Sequence, residues 1–164
     1  MVNNFASNEN FDGIIAASIA STPSYLVGVV SLLNRSSPGH INPVRQMEIL
    51  GIPNFFDHAG NCINGYMIAA AVIVAGSVVD RKLSPEESYP KVIAFGAAAT
   101  AVGANVAYEA GIQVTPYPAK SPDAPFDAAD AVFGGIAGIL FSAVYCGVAL
   151  RQKRKSRSKE TLAN

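Results

Sequence analysis

The residues of this chain that could do chemistry lie close to the ends of long apolar segments. They are carboxylates, one histidine and side-chain amides, and we predict that they line one polar pocket: Asp57, His58, Asn61, Asn105, Glu109, Gln113, Asp127 and Asp130. Two chemistries suit this set. The carboxylates and the imidazole could hold a divalent cation that engages a phosphorylated lipid headgroup. Alternatively, Glu109 and His58 could act as an acid and base pair.

No local motif supports either chemistry. The chain contains no HExxH or CxxC spacing, no serine nucleophile elbow, no phosphate-binding P-loop and no GxGxxG. The sequence therefore predicts neither a metal site nor a cofactor. It leaves open whether the protein is an enzyme.

The acidic residues also have a purely structural interpretation. Asp127 and Asp130 are three residues apart, so they share one face of a helix, and either could cap the start of that helix. Glu109 is harder to explain in this way, because it falls at the end of a helix, where a negative charge is unfavourable. It needs a partner, and an ionisable residue in such a position is a functional candidate.

Four apolar runs must position these residues, at 13–33, 62–79, 92–108 and 131–150. Hydrophobic residues make up 50% of the 164 residues and charged residues only 15%, against roughly 25% charged in an average soluble domain. About 20 apolar residues in a helix cross the hydrocarbon core of a membrane. We therefore predict an all-α polytopic membrane protein. A bundle of four transmembrane helices would occupy residues 1–150, and a basic cytoplasmic tail residues 151–164.

The charged residues predict orientation and exclude one class of partner. The formal net charge is zero, so we expect no nucleic-acid partner. Nine of the 12 basic residues fall on the side that would hold both termini: Arg81, Lys82, Lys91, Arg151, Lys153, Arg154, Lys155, Arg157 and Lys159. Basic residues favour the cytoplasmic side. The prediction is a multi-pass protein of the cell membrane with both termini in the cytoplasm.

Two further features concern packing. We predict that an apolar segment of the first outer loop lies in the membrane interface or folds back against the bundle. Its apolar residues are Met47, Ile49, Leu50, Ile52, Phe55 and Phe56. Small residues at regular spacing predict close helix contacts: Gly96, Gly103, Gly134 and Gly138. The contacting helix could belong to this chain or to a second copy.

Residues 109–138 resemble one membrane-protein family. The segment reads EAGIQVTPYPAKSPDAPFDAADAVFGGIAG, with Glu109 and Gln113 followed by Asp127 and by Gly134 and Gly138, which lie seven and eleven residues after the aspartate. This pattern resembles the VanZ-like membrane proteins. The resemblance implies a four-span bundle in the cell envelope, in some members linked to glycopeptide-antibiotic resistance.

The chain also departs from the family pattern. Asp57 resembles the aspartate that precedes the family's second helix, but Asn61 stands where a histidine is expected. Lys120 stands in place of an arginine, and Ala131 in place of an asparagine. These departures affect the polar positions more than the glycines.

Three functions are compatible with these observations. The leading hypothesis is a VanZ-like integral membrane protein of the cell envelope, whose outward-facing polar pocket binds a lipid headgroup or a cell-wall precursor. The first alternative is a non-catalytic subunit that assembles with other membrane proteins or with itself. The second is a small transporter or ion pathway lined by Asn105 and Glu109. In each case the lipid bilayer is the surrounding partner.

Overall fold

The computed structural model of the chain describes residues 12–22, 26, 29, 51, 55, 58, 61–84, 88–112 and 123–163, with side chains up to residue 159. The regular structure in these ranges is helical, and they contain no strand. The helices are α1 (12–22), α2 (Cys62–Leu83), α3 (Pro90–Glu109) and α4 (Ala128–Ala163). The prediction of an all-α protein is confirmed for the described part of the chain.

Helices α2, α3 and α4 are each long and apolar enough to cross a membrane. These three candidate spans support a multi-pass membrane protein. The first predicted span, residues 13–33, is helical at 12–22 and at Leu26 and Val29, and its other residues lie outside the described ranges. A bundle of four spans therefore stays a prediction.

On α3, side-chain size separates the face that packs in the bundle from the exposed face. On α3, Ala97 is fully buried, whereas Phe95 is 77% exposed and Val92 is 69% exposed. Large apolar side chains facing outward are unfavourable in water but suit a lipid surround, while small residues facing inward let helices approach closely. Helix α3 follows this arrangement. Helices α2 and α4 also bury large side chains, since Ile73, Phe141 and Tyr145 are almost fully buried.

The helix ends follow local rules. Pro90 occupies the first turn of α3, where its missing N–H leaves no hydrogen bond unmade. Arg81 and Lys82 lie in the last turn of α2, where positive charge complements the helix dipole. After α3, Gly111 has a φ of 77°, a left-handed conformation that favours glycine and ends the helix.

Three helices meet at glycines near one end of the bundle. A Cβ atom at Gly65 of α2 would collide with the carbonyl group of Gly134 on α4. A Cβ atom at Gly138 would collide with the methyl group of Ala101 on α3, and one at Gly134 with the Asn105 side chain. Gly134 and Gly138 thus pack against two other helices of the same chain.

The other two glycines predicted to pack between helices, Gly96 and Gly103, show no such close approach. A Cβ atom added at Gly96 or Gly103 would meet no other heavy atom within 4 Å. In the described part of the chain, the space that a side chain at either position would enter is open. The spacing of small residues was therefore not sufficient to identify which helix face is packed.

Helix α4 continues far beyond its apolar run. It has 36 residues and is therefore about 54 Å long at 1.5 Å per residue, well above the roughly 30 Å of a hydrocarbon core. The predicted basic tail is helical through Ala163. Near this end, Gln152 Nε2 donates a hydrogen bond of 3.0 Å to Asp12 Oδ2 at the start of α1, and Gly13 packs against Tyr145.

Part of the segment that precedes α2, predicted to be the first outer loop, packs against the bundle. The Phe55 ring meets the Phe133 ring of α4 edge to face, with centroids 5.2 Å apart. At this position the chain folds back against α4, which is one of the two predicted arrangements. Met47, Ile49, Leu50, Ile52 and Phe56 lie outside the described residues.

The glycine contacts predict the effect of a methyl group. Gly65→Ala forces Cβ into the Gly134 carbonyl, and we expect a loss of about 1–3 kcal/mol from overpacking. Gly103→Ala is the matched control, because its site is open and alanine favours a helix by up to about 1 kcal/mol. Thermal unfolding of both variants in detergent measures the difference. Equal melting temperatures would contradict this contact.

Candidate functional site

The candidate site lies where α4 begins. Asp127 precedes α4, and its Oδ1 accepts hydrogen bonds from the N–H groups of Ala129 at 3.0 Å and Asp130 at 3.3 Å. Its backbone carbonyl accepts the N–H of Ala131 at 3.2 Å. Asp127 therefore caps the helix, as the structural interpretation of the sequence proposed. The second carboxylate oxygen, Oδ2, is left to face His58.

His58 connects the segment that precedes α2 to the start of α4. Its Nδ1 lies 2.6 Å from Asp130 Oδ1 and 3.8 Å from Asp127 Oδ2. The imidazole stacks against the Phe133 ring with centroids 6.2 Å apart. The histidine thus meets the carboxylates of α4 and rests on an aromatic side chain one turn further along that helix.

His58, Asp127 and Asp130 form a cluster, and Glu109, the last residue of α3, lies next to it. Glu109 is only 5% exposed, and its Oε2 accepts a hydrogen bond of 3.2 Å from the backbone N–H of Asp127. Because α3 and α4 run in opposite directions, the end of α3 lies beside the positive dipole end of α4. The carboxylate that is unfavourable on its own helix is therefore stabilised by the next helix.

Asn105 supports the site from deeper in the bundle. It is buried, its Nδ2 donates a hydrogen bond of 2.7 Å to the carbonyl of Ala101, and its side chain lies against Gly134. These contacts assign Asn105 to the packing between α3 and α4, about one turn below Glu109.

For the remaining predicted pocket residues, the described structure gives no side-chain contact with the cluster. Asn61 is half-buried in the turn before α2, and its backbone N–H donates a hydrogen bond of 2.9 Å to the carbonyl of His58. Its side chain does not cap α2. Asp57 and Gln113 lie outside the described residues.

The geometry of three of these residues suits a metal ion. One ligand atom each from His58, Asp127 and Asp130 can be chosen such that all three lie within 4.8 Å of one another. A cation at their centre would relieve the repulsion between the two carboxylates. Mixed imidazole and carboxylate ligands suit ions such as Mn²⁺ or Zn²⁺. The short contact between His58 and Asp130 would also permit proton transfer.

Sequence reasoning missed two residues that shape this cluster. Phe133 carries the His58 ring, and the Cys62 thiol lies 3.7 Å from the Phe133 carbonyl oxygen. Both residues look like ordinary members of apolar runs, so no local signal separates them from lipid-facing positions. Their role depends on which face of α4 meets α2.

The chain matches no protein-family model, no curated protein and no solved structure. The resemblance of residues 109–138 to the VanZ-like proteins therefore stays a prediction. Any functional assignment depends on the geometry of the cluster itself.

Two substitutions separate the capping role of Asp127 from the role of its charge. Asp127→Ala removes the acceptor for two backbone N–H groups, and we expect a loss of about 1 kcal/mol. Asp127→Asn keeps an equivalent cap, so it should cost little stability. Thermal unfolding in detergent tests both variants. Asp123→Ala, in an exposed turn just before the helix, should change nothing, and a similar loss there would contradict a specific cap.

Proposed function

We propose that this protein is a multi-pass membrane protein of the cell envelope that binds a phosphorylated lipid headgroup or a lipid-linked cell-wall precursor through a divalent cation. The cation would be held by His58, Asp127 and Asp130. The observation that supports the proposal is the convergence of three ligand atoms within 4.8 Å, contributed by two separate parts of the chain.

The electrostatics of the cluster favour a cation as the bridge. Asp127 and Asp130 place two carboxyl groups beside the His58 imidazole, and the Glu109 carboxylate contacts the backbone N–H of Asp127. An anionic phosphate would be repelled by this set alone, whereas a divalent ion would attract both sides. Asp127 and His58 are only partly buried, so a fourth ligand from a headgroup could reach the ion.

The proposed membrane topology has four spans with both termini in the cytoplasm. The hydrogen bond between Asp12 and Gln152 supports it, because the start of α1 lies beside the basic end of α4. In this topology the cluster opens on the outer face, where lipid-linked precursors of the cell envelope are used. The resemblance to the VanZ-like proteins supports the same location.

Metal binding gives the first test. We expect the purified protein in detergent to bind one Mn²⁺, measured as loss of the free-ion signal in electron paramagnetic resonance. His58→Ala and Asp130→Asn should each weaken binding by at least about tenfold, since each removes a ligand. Asp127→Asn should weaken it too while keeping the helix cap. A short-chain polyprenyl diphosphate should then bind only in the presence of Mn²⁺.

Asp123→Asn is the matched control, because it removes a carboxylate from the exposed turn before α4 but leaves the cluster intact. Its Mn²⁺ affinity should equal that of the unmodified protein. If all of these variants bind Mn²⁺ equally well, the cluster does not hold the ion and the proposed function is wrong.

Thiol labelling tests the topology. Cys62 and Cys146 are both free, so they are first replaced by alanine. Single cysteines are then introduced as Ser7→Cys, Ser121→Cys and Ser158→Cys. In intact cells an impermeant maleimide should label only the second of these positions, and the first and third only after permeabilisation. Labelling of the first position from outside would leave three spans and contradict the proposed topology.

A further inference from the structure

A second polar feature lies at the opposite end of the bundle. A cavity of about 380 Å³ opens between the start of α3 and the basic part of α4. We call it the basic groove, and its lining residues are Ser88, Tyr89, Pro90, Lys91, Val92, Leu150, Lys153, Arg154 and Arg157. This groove is separate from the cluster at His58, which lies at the other ends of α3 and α4.

The charged side chains among the described lining residues are basic, and one carboxylate, Asp80, lies beside them at the backbone N–H of Tyr89. Four of its lining residues are basic, namely Lys91, Lys153, Arg154 and Arg157, and none of the described lining residues is acidic. The groove also contains the N-terminal turn of α3, whose dipole adds positive potential. Concave surfaces with one sign of charge concentrate counter-ions. The groove therefore favours an anion.

The walls of the groove are tied together by direct contacts. Lys153 Nζ donates a hydrogen bond of 2.7 Å to the carbonyl of Ser88, and it lies 5.9 Å from the centre of the Tyr89 ring. The backbone N–H of Tyr89 donates to Asp80 Oδ2 at 3.2 Å. These contacts link the ends of α2, α3 and α4, so the basic side chains surround a defined space.

The position of the groove in the membrane indicates the kind of anion. Leu150 ends the apolar run of α4, and charged residues follow it directly. Val92 lines the groove and is largely exposed on the lipid-facing side of α3. The groove thus combines cations with apolar side chains at the depth where phospholipid headgroups lie. Guanidinium groups pair especially well with phosphate oxygens.

We infer that the basic groove is a binding site for a phosphate-bearing anion, either the headgroup of an anionic phospholipid or free phosphate. General attraction to an anionic membrane does not account for the arrangement. Lys153, Arg154 and Arg157 share one face of α4 with Leu150 because they are three and four residues apart. Arg151, Lys155 and Lys159 are exposed on the same helix but do not line the groove.

This division of the basic residues provides matched variants. Lys91→Gln with Arg154→Gln removes one lysine and one arginine from the groove. Arg151→Gln with Lys155→Gln removes the same two residue types outside it. The full-length protein in detergent is titrated by calorimetry with dihexanoyl phosphatidic acid, with dihexanoyl phosphatidylcholine and with inorganic phosphate. EDTA is present throughout, so divalent ions do not contribute.

We expect phosphatidic acid to bind and phosphatidylcholine not to bind. Each basic residue near an anionic surface contributes about fivefold in affinity, so the groove variant should weaken binding about 25-fold. The control variant should change affinity less than twofold. If inorganic phosphate binds with the same dependence, the ligand is free phosphate, and if it does not, the ligand is the phospholipid.

Two results would overturn the inference: equal weakening in both double variants, which indicates nonspecific charge attraction, or no binding of any phosphate compound. Asp130→Asn separates this site from the proposed function. It should leave phosphatidic acid binding in EDTA unchanged, whatever its effect on Mn²⁺.

Discussion

The close approach of α2, α3 and α4 at Gly65, Gly134 and Gly138 is the constraint on which the rest of the structure depends. In lipid, apolar side chains gain nothing by leaving their surroundings, so helices associate through backbone contact and van der Waals packing. Glycine permits that contact because it has no Cβ atom. The contact fixes the rotation of α4, and that rotation decides which of its residues face the neighbouring helices. Asp127, Asp130 and Phe133 face His58 and Glu109 for this reason.

Antiparallel packing explains how a buried carboxylate is accommodated. Glu109 ends one helix and Asp127 begins the next, so a negative helix end and a positive helix end lie side by side. The Asn105 side-chain amide donates a hydrogen bond to the Ala101 carbonyl within α3, and the same side chain packs against Gly134. The Glu109 carboxylate and the Asn105 amide therefore each make a hydrogen bond inside the bundle, where the dielectric is low. Next to them, the carboxylates of Asp127 and Asp130 lie close to the His58 imidazole.

The two ends of the bundle have opposite electrostatic character. Carboxylates and one histidine gather at the start of α4, whereas four basic residues line a cavity near its other end. The same three helices position both features, because α4 runs from one to the other and continues beyond the apolar run. The two ends of the described bundle therefore carry clusters of side chains of opposite charge.

The sequence by itself determined the helical class, three of the four predicted apolar spans and the position of Glu109 at a helix end, because apolar runs of about 20 residues and helix-end charges are local properties. Only the tertiary structure decided that His58 meets Asp130, that Gly134 and Gly138 are packed while Gly96 and Gly103 are open, and that basic residues of two helices share one groove. These features join residues far apart in the chain. They depend on the rotation of each helix about its axis, which a run of similar apolar residues does not specify.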